Sequence, residues 1–467
     1  MKNYVISQWS NSDRNAFFDK ELQPTSFVHW LTLVNKVKQH ALLQPAQIWL
    51  VSHSNSFYFS IAWLGLLAAG KTTLLPPNSQ HETLLELESN YDKRLLKGEL
   101  ESILNQSFLN TPEELAIEAN AQCLFFTSGS SGKPKCVVKN FSQLMVEVQQ
   151  INQLWPANKS LSSTGSNEVY LSTVSHQHIY GLLFRLLWPL YIGKPIYTPL
   201  IEYPEVLETL VQSNKIDRYT LISSPAFIQR LQDIDLNCLA QQQHKITRLF
   251  SSGGPLSFSA AQQVTCSLKN SPLEIFGSTE TGGIAYRTQQ QEHESWQTFP
   301  NISIRCDEHQ RMSIKSPYLP DESNNTQTEN WYLCDDRIEQ VSEHHFRLLS
   351  RADRVIKIEE KRISLNELEN QLQKHTFIVS AKTLLIPGRR KQIAALIQLN
   401  QQGQLALKKL GKLALNRLFR AHMMNKFEAI VLPRKWRYTD QIPYNEQGKL
   451  SQQVLLGLFK NKISKQP

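Results

Sequence analysis

Residues 125–135 read Phe-Phe-Thr-Ser-Gly-Ser-Ser-Gly-Lys-Pro-Lys. The apolar run Cys123–Phe126 reads as a buried strand, and it breaks into a hydroxyl- and glycine-rich loop ending in two lysines. Such a loop offers backbone N–H groups, Ser and Thr hydroxyls and positive charge, which a polyphosphate needs. It is not a Walker A loop, which has a longer spacing between its glycines and a Ser or Thr directly after the lysine. Here two residues separate Gly129 from Gly132, and Pro134 follows Lys133. The candidate phosphate contacts are Thr127, Ser128, Gly129, Ser130, Ser131, Gly132, Lys133 and Lys135. A Ser/Gly surface turn has the same composition. The rest of the chain decides between the two.

From about Gln47 to Phe276, short apolar runs alternate with segments of helical periodicity. Strands are expected at Ile48–Ser52, Thr72–Leu75, Cys123–Phe126, Val169–Thr173, Pro195–Tyr197, Tyr219–Ser223, Arg248–Ser251 and Leu273–Phe276. Helices are expected at Ser56–Ala69, Ser142–Leu154 and Glu205–Val211. Apolar strands separated by helices imply parallel βαβ units covered on both faces, with ligands at the carboxyl edge of the sheet. After Phe299 the pattern changes to short alternating strands, at Ile302–Arg305, Met312–Lys315, Trp331–Leu333 and Phe346–Leu349, with a polar turn at Asp321–Asn330. A small α+β module follows, with strands at Val355–Ile358, Ile378–Leu385 and Gln392–Ile397 and helices at Ser364–Gln373 and Gln404–Asn425. The expected class is α/β: a large N-terminal domain (1–353) with parallel sheets and a small β subdomain, and a small α+β C-terminal domain (354–467).

The 467 residues suffice for two or three domains, and a hydrophobic fraction of 41% is that of an ordinary soluble protein. Met1–Asn15 is polar and lacks the apolar core of a signal peptide. The most apolar stretches, Phe57–Ala69 and Leu182–Ile192, are too short to span a bilayer. Six scattered cysteines without CxxC spacing indicate neither disulfides nor zinc, so a cytoplasmic location is expected. Charge is uneven. From Arg354 onward 22 Lys/Arg face 7 Asp/Glu, a balance of +15, whereas the preceding part carries 28 against 34, or −6. A basic C-terminal portion favours an anionic partner, or is simply a solvated surface. Without an RNP motif or zinc finger, nucleic acid is not expected.

Further motifs follow. Residues 274–283 read Glu-Ile-Phe-Gly-Ser-Thr-Glu-Thr-Gly-Gly, and residues 251–256 read Ser-Ser-Gly-Gly-Pro-Leu. Ser175-His-Gln-His-Ile-Tyr-Gly181, Trp331-Tyr-Leu-Cys-Asp-Asp336, the run 348–369 around Arg351-Ala-Asp-Arg354, and Ile442-Pro-Tyr-Asn-Glu-Gln-Gly-Lys-Leu450 complete the set. Together with the Lys-Pro-Lys loop they span Phe125–Lys449, and taken in chain order they resemble the signatures of the adenylate-forming (AMP-binding) superfamily. That resemblance implies an ATP- and Mg²⁺-dependent acid–thiol ligase with a mobile C-terminal domain. It places Phe276 and Gly277 beside adenine, with Gly253 and Gly254 lining the same pocket. Thr279 falls on the α-phosphate, Glu280 on Mg²⁺, and Asp336 and Arg351 on ribose or phosphate. His178, Tyr180, Gly181 and Gly283 fall at the acyl pocket, Asp353 at a hinge, and Lys449 at the reacting carboxylate and α-phosphate. Magnesium suits this reading, since it takes one or two protein oxygens when phosphates supply the rest.

The departures carry information too. Cys334 and Asp335 stand where the family has Thr and Gly, so Asp335 competes with Asp336 for the ribose. Glu360 replaces a glycine that borders the pantetheine tunnel in relatives, which argues against ordinary CoA. The motif combination is most similar to AMP-ligases of aryl polyene and xanthomonadin-type pigment clusters. That likeness implies an aromatic or fatty acid activated to acyl-AMP and loaded onto an acyl carrier protein. An acyl-CoA ligase and a non-catalytic nucleotide-binding protein remain the alternatives.

Overall fold

Strand Gln122–Ser128 sits second from one edge of a five-stranded sheet ordered Lys93–Leu95, Ile48–Val51, Thr72–Leu75, Gln122–Ser128, Pro134–Asn140. The first four strands are parallel and the last is antiparallel. The computed structural model describes residues 3–10, 14–79, 81–106, 114–128, 134–156, 168–231, 237–292, 294–319, 331–351, 354–358, 361–386, 392–424, 426–427, 429–444, 450 and 452–460.

The chain divides into two compact units: residues 1–303 with 315–330 and 446–448, and residues 304–314 with 331–445 and 449–467. In the first unit a second sheet runs Trp296–Thr298, Gly282–Arg287, Leu273–Ser278, Ile246–Ser251, Arg218–Ser223, Glu168–Ser172, Ile196–Tyr197, Asn15–Phe18, Pro24–Ser26. From Leu273–Ser278 to Asn15–Phe18 neighbouring strands are parallel, and the strands beyond either end are antiparallel. The parallel run is apolar on both faces, as buried parallel strands must be. Helix Ser56–Ala68 is buried nearly all round and belongs to the core. Helix Phe141–Leu154 starts directly after the antiparallel hairpin strand. A capping box fixes that entry: Asn140 accepts from the backbone of the first turn, and Gln143 Oε1 accepts from the Asn140 N–H at 2.8 Å.

In the second unit, Arg311–Lys315, Tyr332–Gln340 and His345–Arg351 are successive antiparallel neighbours. Hairpin Val355–Ile358/Lys361–Ser364 leads into helix Leu365–Gln373. Strands Ile378–Ile386, Gln392–Leu399 and Lys435–Thr439 form a small sheet packed by the helical segment Gln401–Met424. That segment is interrupted at Gly411, whose φ of 78° and ψ of 164° are not helical. The fold is α/β, with a large sheet-rich N-terminal part and a smaller C-terminal part built on its own sheet. The expected strands between Ile48 and Phe276 all form, with ends shifted by one or two residues. The polar run Asp321–Asn330 lies outside the described residues. Among the described residues, no helix is long and apolar enough to cross a membrane.

Candidate active site

The expected phosphate loop closes a β-hairpin. Gln122–Ser128 pairs antiparallel with Pro134–Asn140, and Ser128 stands opposite Pro134. Gly129, Ser130, Ser131, Gly132 and Lys133 lie outside the described residues. Thr127 Oγ1 donates to the Lys135 carbonyl at 3.4 Å across the hairpin stem. A strand-to-strand turn is the opposite of a Walker A loop, which opens a helix.

A second hairpin brings Thr279 and Glu280 to its tip. Leu273–Ser278 pairs antiparallel with Gly282–Arg287, with Ser278 opposite Gly282 and a register shift between Phe276 and Gly277. The turn closes on itself: the Ser278 N–H donates to Thr281 Oγ1 at 3.1 Å, and the Thr281 N–H donates to Ser278 Oγ at 3.2 Å. Gly282, which opens the returning strand, has φ +69°, a left-handed conformation that glycine adopts without steric cost. Phe276 is half-buried, its ring centroid 5.5 Å from that of Trp296. Trp296 in turn lies 4.4 Å beneath the Arg287 guanidinium, which ion-pairs with buried Glu274 at 2.9 Å.

The two hairpins meet. Lys135 Nζ donates to Glu280 Oε1 at 3.1 Å. Burial would raise the Glu280 carboxyl, but hydrogen bonds from its own backbone and from Lys135 outweigh it, and the group is held below the ordinary carboxylate range. Two alternating positions further along the same strand, Lys139 Nζ donates to the Glu280 carbonyl at 2.8 Å and to the Tyr318 carbonyl at 2.9 Å. Glu147, on the following helix, accepts from the Gly283 N–H at 2.7 Å. Lys139 is 1% exposed and Glu147 2%. Burial pushes the Lys139 amine down to about 8 and the Glu147 carboxyl up to about 7.

Other expected residues gather at carboxyl ends of the large sheet. Gly253 follows strand Ile246–Ser251 with φ +92°, and Gly254 beside it is exposed. Ser252 Oγ bonds the Ile275 carbonyl at 2.8 Å, tying this turn to the second hairpin. After strand Glu168–Ser172 the chain turns through His178 into a helical stretch where Leu182–Leu187 is π-helical. Gly181 allows that turn, because a Cβ there would overlap the Ser175 carbonyl. Tyr180 packs on Phe184 with ring centroids 5.0 Å apart. The neighbouring His176 is fully buried, bonded through Nε2 to the His53 carbonyl at 2.8 Å. Arg185 is buried as well, donating to the Val174 carbonyl at 3.1 Å and the Thr198 carbonyl at 2.7 Å. It locks the His178 turn to the end of a neighbouring strand.

In the second unit, Asp336 stands directly opposite Arg351 in the antiparallel pair Tyr332–Gln340/His345–Arg351. Asp335 points to the other face, exposed, with Oδ1 3.7 Å from Arg311 Nη2. Lys357 and Arg362 are register partners in the next hairpin. Asp353, Glu360 and Lys449 lie outside the described residues.

The hairpin of Lys135 and the hairpin of Thr279 and Glu280 thus meet at one carboxylate. The profile of the AMP-binding enzyme family matches residues 71–322, more than half of the chain. The chain belongs to the AMP-binding enzyme family. It is 22% identical over 396 residues to a putative long chain fatty acid-CoA ligase (VraA) of Staphylococcus epidermidis, covering 82% of this chain and 81% of that protein. Its fold is similar to that of o-succinylbenzoate CoA synthetase of Bacillus subtilis in complex with ATP and magnesium ion. The TM-score is 0.76, the identity 17%, and the coverage 98% of this chain and 100% of the other. ATP-bound MatB of Rhodopseudomonas palustris gives a TM-score of 0.75 at 13% identity, covering 98% of each chain.

For an AMP-binding enzyme, the donor set suits Mg²⁺ in one specific way. Among the described residues no group of three or more His, Cys, Asp or Glu side chains is placed to hold a metal ion. Glu280 would offer one ionised, hard-oxygen ligand, which suits an ion such as magnesium that takes only one or two oxygens from protein when phosphates supply others. Sequence reading missed Lys139, Glu147, His176 and Arg185. Lys139, Glu147 and Arg185 each adjoin apolar residues, His176 lies in a polar run, and only the alternation Lys135, Val137, Lys139 along a strand could have flagged the first.

Proposed function

We propose that this AMP-binding enzyme activates a carboxylic acid to acyl-AMP and then transfers the acyl group to a phosphopantetheine thiol. The observation that carries the reading is the 3.1 Å contact of Lys135 with Glu280, which joins the loop suited to phosphates with the carboxylate suited to magnesium. In the first step a carboxylate oxygen attacks the α-phosphorus of ATP, the bond to the β-phosphate oxygen breaks, and pyrophosphate leaves. The Thr127–Lys135 loop would hold the β- and γ-phosphates and Thr279 the α-phosphate. Phe276 and Gly277 would flank adenine, with Gly253 and Gly254 on the adjoining turn. Bound to Glu280, Mg²⁺ supplies charge neutralisation for the phosphates. Lys449 would offset the charge that develops on the α-phosphate and carboxylate.

Asp336 is the better ribose ligand than Asp335. It shares its strand position with Arg351, whereas Asp335 faces the other way toward Arg311. His178, Tyr180 and Gly181 would shape the acyl pocket. Gly283 is held inside by Glu147 and would act through the position of its strand. Asp353 is proposed as the pivot of a C-terminal domain from Arg354 onward. The division into compact units falls earlier in the chain, but a pivot concerns motion, and compactness does not locate it.

In the second step the thiol sulfur attacks the acyl carbon, the bond to AMP breaks, and the thiol proton passes to solvent. A carrier protein is favoured as acceptor by Glu360 and by the +15 balance after Asp353, which would speed encounter with an acidic partner. The proposed acid is aromatic or fatty, as in aryl polyene-type pathways. CoA as acceptor is the second reading, favoured by the CoA ligase and synthetase names of the relatives. Competition between a phosphopantetheinylated carrier protein and CoA, with one acid, separates the two. The expected outcome is faster carrier loading, with an advantage that shrinks as salt screens charge beyond ~8–10 Å. Equal or faster turnover of CoA would transfer the assignment to an acyl-CoA ligase.

A further inference from the structure

Lys139 and Glu147 are buried ionisable groups outside the residues given roles above. Burying an amine or a carboxylate is costly unless it is compensated, so such groups ask for a reason. Both reach the same target. Lys139 Nζ donates to the Glu280 carbonyl, and Glu147 accepts from the Gly283 N–H. They therefore grip the second hairpin by its backbone, Lys139 at the turn and Glu147 on the strand that leaves it. Lys135 holds the side chain of the same Glu280 at 3.1 Å.

All three gripping residues belong to one connected element. Lys135 and Lys139 lie on strand Pro134–Asn140, and the Asn140–Gln143 capping box joins that strand to the helix carrying Glu147. Tyr318 extends the network: its carbonyl accepts from Lys139, and its hydroxyl bonds Gln150 on the same helix. The second hairpin is shaped to receive this element. A side chain at Gly282 would run into the Glu147 carboxylate and the Tyr318 ring.

We infer that Lys139 and Glu147 are positioning residues for adenylation, fixing the Thr279–Glu280 turn relative to the phosphate-loop hairpin so that Glu280 meets Mg·ATP in a set geometry. The inference rests on the nucleotide roles proposed above for Thr279 and Glu280. A purely structural role would make the pair matter for folding and nothing else. Groups that act through one shared partner are strongly non-additive, whereas independent ones add.

The test is a double-mutant cycle read by ATP–pyrophosphate exchange, with Mn²⁺·ATP binding followed by electron paramagnetic resonance and thermal unfolding measured alongside. Lys139→Met should lower kcat for exchange by roughly 10–100-fold, the range of coupling within a shared hydrogen-bond network. It should weaken Mn²⁺·ATP binding and leave the KM for the acid unchanged. On a Glu280→Gln background the same change should cost less than about threefold. Glu147→Gln, which keeps an acceptor for the Gly283 N–H, should retain most of the activity that Glu147→Leu loses. This pair decides the matter if Lys139→Met does not fold. Full additivity with Glu280→Gln, or a lowered unfolding temperature with unchanged kcat and Mn²⁺·ATP affinity, would overturn the inference while leaving the nucleotide reading intact. Failure of the unmodified protein both to bind Mn²⁺·ATP and to exchange with any acid would overturn that reading, and this inference with it.

Discussion

Glu280→Ala should reduce acyl-AMP formation by roughly 10²–10³-fold, the cost of removing one preorganised group from a site of developing charge. Three features set this size. The carboxylate is half-buried and held ionised, so it is available to a divalent cation near neutral pH. Its backbone is fixed by Lys139, so the ligand does not need ordering when nucleotide arrives. Its removal also leaves Lys135 without its 3.1 Å partner, beside the loop that would carry the phosphates. The side chain sits at a hairpin tip, outside the apolar core, so the unfolding temperature should move little. Pyrophosphate release with saturating acid and a magnesium titration would measure the effect. A variant that keeps parental turnover at ordinary magnesium would remove Glu280 from the mechanism.

The fold was legible where chemistry is local. Strands Thr72–Leu75, in the parallel sheet, and Val355–Ile358, in an antiparallel hairpin, form at their expected bounds because short β-branched and apolar stretches leave few alternatives. Long-range pairing was less legible. Asn15–Phe18 joins the large sheet beside Ile196–Tyr197, a partnership nearly two hundred residues apart that no local pattern encodes. Helix Phe27–Leu42, capped by Ser26, carries a regular apolar face and went unassigned only because no motif drew attention to it.

Hydropathy alone would assign the faces of strand Pro134–Asn140 the wrong way round. In Lys135-Cys-Val-Val-Lys139 the apolar Val138 is 45% exposed while Lys139 is buried. A strand alternates faces whatever its residues, and here the inward face was assigned to a lysine that serves the turn opposite. The family was legible from the motifs as an ordered set, since spacing and residue type survive without structure. The residues that hold them in place were not. Their signal is a charge in an apolar setting, which reads as noise until its partner is known.

Lys449→Ala should abolish most acyl-AMP formation, again by roughly 10²–10³-fold, while leaving ATP binding nearly unchanged. The separation follows from when its charge is needed. In the proposed reading, binding of Mg·ATP would rely on the two hairpins, which bring Lys135 and Glu280 together within one compact unit. A lysine supplied by the closing motif would add charge where the carboxylate and α-phosphate come together, so its loss would fall on the transition state and spare the ground state. Kinetics should therefore show a lowered kcat with little change in the KM for ATP. Thiol transfer from supplied acyl-AMP should proceed near the parental rate in the same variant, because a bulky phosphopantetheine arm needs the lysine withdrawn. A pivot at Asp353 would provide that withdrawal, a hinge motion of the ordinary kind. Asp353→Pro, which fixes φ near −65°, should then favour one half-reaction over the other. Equal loss of both half-reactions in Lys449→Ala, or parental rates for both in Asp353→Pro, would separate this chain from the two-step domain-alternation scheme.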